Sequence, residues 1–394
     1  MARLTYNQIK TFLTNAYAQA TGGSSLASLS FDTLQQVFTT DNLASEDNLY
    51  AYLDNVLAKT LFAVRPLSEP LRSLEWEPSR YGDITRKLSP ITTEPVDNRE
   101  WDIGTELQQV NPDFACCTAP VLQDFLAVRI SGGNTFARKW TTYRDQMNAA
   151  FQSEAQVVDF FSMLATERAN RMKLDRLSEK RGLVNNAILA LYDYAGSHVY
   201  NALTEYNTET GSSYTTTTIM QPGVFREFMI WLAAKIEYLR RLMEDNGKMF
   251  HVDVTGKEID RHTSLSRQKL YLHSMFEMYF RANQAQLFNP DKLPKFAAVE
   301  SVAYWQDPKA PMSVQGTAQS IAQATGARQT VATALCENVI GILFDDDFMG
   351  LSNISNWSAP EPYNARYGFQ NTWYHSTYRS ITDFTENALL IRLA

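Results

Sequence analysis

Cysteine is nearly missing from this 394-residue chain: Cys116, Cys117 and Cys336 are the only three. An odd count with two adjacent members excludes a disulfide framework and fits no zinc-knuckle spacing, so these read as small apolar residues in a reducing compartment. Histidine is scarce as well, with five (His198, His251, His262, His273, His375). None of them forms a His-Glu-x-x-His pair on a helix or sits beside a cysteine. No run approaches the roughly 20 apolar residues of a bilayer span. The opening residues, with Asn7, Gln8 and Lys10 soon after Met1, carry no apolar leader core. A soluble protein made in a cytoplasm is expected. Basic charge is short too: 36 Lys and Arg stand against 43 Asp and Glu, a formal net charge of −7. Gripping nucleic acid needs clustered cations, so that task is excluded as the main one, whereas enclosing nucleic acid without holding it is not. Nucleotide loops are absent. Asn246-Gly247-Lys248-Met249 and Thr255-Gly256-Lys257-Glu258 lack the following Ser or Thr and the earlier glycine. No Gly-x-Ser-x-Gly elbow offers a serine nucleophile.

What is present is a large apolar complement, 44% of residues, with 21 Phe and 19 Tyr, enough for a sizeable core and for subunit contacts. Residues 1–65 read as helices, with Leu4, Ile9, Phe12 and Leu13 near helical spacing and a second run after Ser45. From 66 to 140 the character changes. Pro66, Pro70, Pro78, Pro90, Pro95, Pro112 and Pro120 are half of the chain's 14 prolines and forbid a long helix. This stretch is expected to be a long, exposed, β-rich excursion of the kind that carries function. A long helix should start near Ser153, with Gly182 ending or bending it and a helical pattern resuming over 183–204. Pro222 suits the first turn of another helix. Its stripe is Phe225, Phe228 or Met229, Leu232, Ile236, Leu239 and Met243, and Asn246-Gly247 stops it. A further helix is expected after Ser264, with Leu270, Met275 and Met278 or Tyr279 inward. The end turns to strands: Val339–Phe344, Trp373–Arg379 and Ala388–Leu393, the last preceded by a turn over 381–387. The class is therefore α+β.

Several residue groups invite chemistry. Asp345, Asp346 and Asp347 at a strand exit are candidate Mg²⁺ ligands, but consecutive side chains point different ways. The simpler reading is a polar turn that sheds charge to water. His251-Val252-Asp253 and Asp260-Arg261-His262 place acids beside histidines, and local ion pairing is the commoner outcome than general-base work. Arg168, Arg171, Lys173, Arg176, Lys180 and Arg181 are interleaved with Glu167, Asp175 and Glu179, which suggests a mixed, solvated helix face. The sequons at Asn353 and Asn356 are expected to be chance, since nothing indicates secretion. No cofactor, metal or catalytic residue is assigned. In the excursion, Arg86, Lys87, Glu94, Asp97, Arg99, Glu100 and Asp102 carry both signs with little apolar surface between them. They are expected to contact an adjacent subunit.

The segments ENVIGILFDDDFMG (337–350), PYNARYG (362–368), NTWYH (371–375) and DFTENALL (383–390) resemble the C-terminal region of tailed-phage major capsid proteins, including those of short-tailed phages of gut bacteria. LTEYN (203–207), MFHV (249–252) and VAYWQ (302–306) have similar counterparts. The resemblance implies the Hong Kong 97-type fold: an N-terminal arm, an extended β loop, a peripheral domain with a long spine helix, and an axial domain. On this chain those parts are expected at 1–65, 66–140, 141–220 and 221–335, with strands in 336–394 completing both sheets. It also implies a structural, non-enzymatic shell subunit. Such a subunit would assemble with itself into hexamers and pentamers, would meet a scaffolding protein and a portal, and would enclose double-stranded DNA without sequence-specific binding and without a membrane. An encapsulin-like nanocompartment shell shares the fold. A metal-dependent hydrolase using Asp345–Asp347 with His251 or His375 is the remaining alternative.

Overall fold

The computed structural model describes residues 70–76, 84–91, 125–131, 133–143, 154–256, 259–285 and 299–394. The helices expected in 1–65, Cys116 and Cys117 lie outside the described residues. The chain divides into two compact units, one of Met1–Tyr81, Gly133–Gly182 and Gly350–Ser380, the other of Gly82–Gly132, Leu183–Met349 and Ile381–Ala394.

The first unit is built on a four-stranded sheet. Its strands are β1 (Glu75–Trp76), β4 (Asn134–Tyr143), β11 (Met349–Pro360) and β12 (Phe369–Thr382), in the order β1-β11-β12-β4. β12 pairs antiparallel with β4 from Phe369 opposite Tyr143 to Tyr378 opposite Asn134. The alternation read over Trp373–Arg379 has the period of such a strand. Gly350 is required where β1 passes, because a Cβ there would lie 2.2 Å from the Trp76 ring.

Helix α1 (Glu154–Tyr194) runs for 41 residues, and Gly182 does not end it. On the C-terminal side Leu183, Val184, Ala187, Ile188, Ala190 and Leu191 are buried, and tertiary packing outweighs the intrinsic cost of one glycine. The residues of α1 up to Gly182 group with the first unit and the rest with the second.

The second unit holds a five-stranded sheet in the order β5-β13-β10-β6-β7: β5 (Val199–Asn201), β6 (Gln268–His273), β7 (Val299–Val302), β10 (Val339–Asp345) and β13 (Ala388–Arg392). All seven residues of β10 are buried. It pairs antiparallel with β13 on one side and β6 on the other. A strand covered on both faces reads as a continuous apolar run, which is what the sequence shows at 339–344. Helices α2 (Ala202–Thr210), α3 (Pro222–Asp245) and α4 (Ser274–Ala285) pack with this sheet. Every residue of the stripe read for α3 is buried, and the Asn246 amide closes the helix on Leu242 O at 2.8 Å. The helix expected after Ser264 is corrected. Residues 268–273 form β6, and α4 starts only at Ser274. Its inward residues are Phe276 and Phe280, whereas Met278 is 65% and Tyr279 47% exposed. β6 is buried on both faces, so its sequence lacks the period-2 signal that separates strand from helix.

Two antiparallel pairs complete the second unit: β2 (Ile84–Pro90) with β3 (Phe125–Ser131), and β8 (Val314–Ile321) with β9 (Arg328–Cys336). The first lies within the expected excursion. The other edge of β8 is met by side chains. Asn186 bonds the Gln319 backbone through both its amide nitrogen (3.1 Å) and its oxygen (2.6 Å). The Tyr194 hydroxyl does the same for Ile321, at 2.6 and 2.8 Å. These contacts satisfy strand-edge groups that would otherwise need water or another strand.

Two glycines should respond oppositely to the same substitution. A Cβ at Gly341 on β10 would sit 2.4 Å from the Tyr271 carbonyl oxygen of β6, whereas nothing lies within 4 Å of one at Gly182. Gly341→Ala should destabilise by about 1–3 kcal/mol, and Gly182→Ala, in an exposed helix interior, should stabilise by about 0.5–1 kcal/mol. Denaturant unfolding of the full chain measures both. Equal midpoints for the two variants would contradict this packing.

Candidate assembly elements

The β2–β3 ribbon is fastened to its own chain by a charge cluster. Lys87 Nζ lies 2.9 Å from Asp383 Oδ2 and also donates to Glu386. Glu386 has a second cation, Arg261, whose Nε is 3.3 Å away. Arg261 in turn donates to the Thr385 carbonyl at 3.1 Å and to Ser89 Oγ at 2.5 Å. Asp383 Oδ1 accepts the Thr385 amide at 3.0 Å and its hydroxyl at 2.6 Å, a local turn that holds the carboxylate in place. Burial disfavours the Lys87 ammonium, but Asp383 and Glu386 more than offset this and raise its pKa above the ordinary value. Burial raises the Glu386 carboxyl, against the opposing pull of Lys87 and Arg261. Side chains along β2 alternate as a ribbon requires: Ser89 is buried and Leu88 is 67% exposed.

Of the seven excursion residues expected at a subunit contact, Lys87 thus has partners within its own chain. Arg86 lies on β2 opposite Arg129. Glu94, Asp97, Arg99, Glu100 and Asp102 lie outside the described residues. Asp383, Glu386 and Arg261 were not singled out from sequence as partners of the excursion. The available signal was weak: two acids placed beside a strongly apolar terminal strand.

The mixed charges of α1 are a solvated face only in part: Glu167 and Arg171 are exposed, but Arg168 and Lys180 are buried, and for these the expectation is corrected. Arg168 is 5% exposed, with its guanidinium 5.6 Å from the Trp140 ring centre and a 3.4 Å bond to Thr142 Oγ1. Arg176 lies 5.9 Å from the Tyr378 ring and 3.6 Å from Glu75. Lys180 is wholly buried with its Nζ 2.8 Å from Glu75 Oε1. Arg138 of β4 grips Asp175 through Nε at 2.8 Å and through Nη2. These residues recur at helical spacing along one side of the helix. Their long apolar stems cover β4 and β12 aromatics while their charged ends find carboxylates or ring faces. A cleft of about 330 Å³ beside them is lined by Phe136, Trp140, Asp175, Glu179, Tyr374 and Tyr378, among others. Burial raises the Glu179 carboxyl there, opposed by a hydrogen bond from Asn134.

The acidic strand exit is closed by cations. Arg267 Nη2 lies 3.1 Å from Asp345 Oδ1 and 2.6 Å from Asp347 Oδ2, and Lys269 pairs with Asp346. Asp345 is only 3% exposed and accepts the Asp347 amide at 2.9 Å, so it caps the turn and does not simply shed charge to water. Among the described residues no group of three or more His, Cys, Asp or Glu could hold a metal ion. His251 engages Asp253 at 3.1 Å, and His375 stacks on Trp357 with ring centres 4.0 Å apart. Cys336 is buried, which pushes its thiol up to about 11, far from the thiolate that nucleophilic chemistry needs. Asn353 and Asn356, the two sequon residues, both lie on β11.

Solved structures place this fold. A chain of the capsid structure of Staphylococcus phage Andhra aligns with a TM-score of 0.53 at 12% identity, covering 84% of this chain and 86% of the other. A chain from a structure of the head fiber and inner core protein gp22 of bacteriophage P68 aligns with a TM-score of 0.55 at 10% identity, covering 84% and 88%. The fold is the Hong Kong 97-type fold of phage capsid proteins. No curated protein sequence matches. The profile of the family described as "Phi29-like phage major capsid protein" matches residues 7–392, and the chain belongs to that family. It is a structural capsid shell protein.

The Lys87 cluster yields a quantitative expectation. Lys87→Met leaves Asp383 and Glu386 buried, at 2% and 9% side-chain exposure, with one cation fewer. For a partly buried pair the cost should be about 1–3 kcal/mol near pH 8, between the surface and fully buried limits. Without Lys87 the Glu386 carboxyl rises further. A raised carboxyl favours the folded state while protonated and loses that advantage as pH climbs through its folded value. The deficit should therefore shrink as pH falls toward the ordinary glutamate value of 4.5. Denaturant midpoints across that range check it, and a deficit that grows on acidification would refute the cluster's role.

Proposed function

We propose that this chain is the repeating subunit of an icosahedral phage head, assembling with copies of itself into pentamers and hexamers and carrying no catalytic activity of its own. The observation that carries this reading is the family match, which runs over almost the whole chain. The cation-paired carboxylates at 345–347 support it, since each is already committed to Arg267 or Lys269. The same family match favours a phage shell over an encapsulin-like one. A formal net charge of −7 suits a wall that encloses DNA without gripping it. Synthesis in the host cytoplasm, with a scaffolding protein and a portal as partners, completes the proposal.

The unit built on the four-stranded sheet would be the peripheral domain, with the first part of α1 as its spine helix. The unit built on the five-stranded sheet would be the axial domain, with the division at Gly182 in place of residue 220. Glu94, Asp97, Arg99, Glu100 and Asp102 would meet an adjacent subunit through ion pairs. Each exposed pair is worth about 0–1 kcal/mol, but a shell repeats the contact many times.

Expression with the neighbouring phage genes should give closed or tubular particles by electron microscopy and light scattering. A product that stays monomeric under all such conditions would overturn the reading. Neutralising the five charged residues together (Glu94→Gln, Asp97→Asn, Arg99→Gln, Glu100→Gln, Asp102→Asn) should leave the melting temperature near that of the parent. Particle yield should fall, and raised salt should reproduce part of that loss in the parent by screening. Normal assembly of the variant would remove the segment from the lattice contacts.

A further inference from the structure

The second unit contains three buried histidines, and two of them, His198 and His251, lie together at one cleft. His198 ends a 3-10 turn (Gly196–His198) that follows α1. His251 lies on the segment after α3. They are 6% and 5% exposed and share the lining of a cleft of about 490 Å³ with Ser197, Lys248, Asp253 and Gln323, among others.

The His198 Nδ1 has no partner among the described residues. The backbone groups of Phe250 and Ala388 raise the His198 value, as carbonyl acceptors of a ring N–H do, which leaves Nδ1 as the bare nitrogen. His251 Nε2 lies 3.1 Å from Asp253 Oδ1, and its Nδ1 is likewise without a partner among the described residues. Each ring thus has one committed N–H and one bare, buried lone pair. Among the described residues no third ligating side chain converges to make a metal site. What such a lone pair can take is a proton.

The position of the pair gives that proton leverage. The Phe250 carbonyl that His198 reaches also accepts the Ala388 amide at 2.9 Å, at the first residue of β13. Two residues on, the Val252 amide bonds the Phe384 carbonyl at 2.9 Å. The histidines therefore sit where the 250–254 segment is laced to the start of the terminal strand.

We propose that His198 is the catch of a proton-operated latch, closed while its ring is neutral and loosened when it is protonated, that fastens the 250–254 segment to the start of β13. Protonation of His198 places a new N–H on Nδ1 in a buried site with no acceptor among the described residues. The charged and titratable groups facing the pair among the described residues include Asp253, which holds His251, Lys248, which opposes any added positive charge, each imidazole toward the other, and Tyr194, whose ring centre lies 5.7 Å from that of His198. Ser197 and Gln323 are neutral. Burial, and then His251, lower the His198 value below the ordinary 6.5, while the Phe250 and Ala388 bonds and Asp253 act against this. A group that binds its proton more tightly when released costs nothing above the ordinary value. It favours release as pH falls below that value, by up to about tenfold in the opening constant per pH unit for one proton.

The test is hydrogen exchange at the Ala388 and Val252 amides of the purified full chain between pH 7.5 and 5.5, corrected for the intrinsic pH dependence of exchange. Protection at both should fall on acidification. In His198→Gln, whose amide nitrogen can still donate to the carbonyls, the fall should flatten. Should a variant not fold, the parent's own imidazole titration decides: His198 must titrate over the range in which protection is lost. Protection that is independent of pH in the parent overturns the proposal. So does an undiminished fall in the Gln variant, or loss of protection outside the range of the imidazole titration.

Discussion

The second unit depends on one strand that never meets water. All seven residues of β10 are buried. It has a paired neighbour along each edge and apolar packing on both faces, so its position leaves no freedom to β6 and β13. Gly341 shows how tight the arrangement is, because the Tyr271 carbonyl occupies the space a side chain would need. Helix α3 then contributes a single clean stripe to the core that includes Ile340 and Leu343. Burial of this kind, at roughly 25 cal/mol per Å² of apolar surface, is the main source of stability in a domain of this size.

Charge in this protein does structural work in places where it would usually be solvated. Lys180 is wholly buried and held by Glu75, Arg168 lies against Trp140, and Lys87 joins β2 to two buried carboxylates. A buried ion pair adds little net stability over an apolar replacement, but breaking one is costly. Such pairs therefore select one arrangement over its alternatives. A shell subunit must present the same surfaces in every copy, and specificity of that kind suits the demand.

The groups that invited chemistry in the sequence are already paired or buried. The acids at 345–347 face Arg267 and Lys269, and the Cys336 thiol is buried. The His198–His251 pair differs, since each ring keeps an uncommitted nitrogen.

Much was legible in the sequence by itself. Proline at 222, the apolar stripe to Met243 and the Asn246-Gly247 stop defined α3, because helix ends and a 3.6-residue period are local properties. The uninterrupted run at 339–344 announced a buried strand, and the C-terminal segments carried the family resemblance. The partners of charged groups were not legible, because they come from distant positions: Lys87 meets Asp383 and Glu386 nearly 300 residues away. Nor was β6, since a strand buried on both faces and a buried helix look alike in composition. Gly182 misled for the same reason. Its local propensity argues for a break, and only the packing of the residues after it keeps α1 continuous. Local periodicity determined the elements; burial, a property of the assembled chain, decided which charges were paired, which faces were covered and where the histidines lost their solvent.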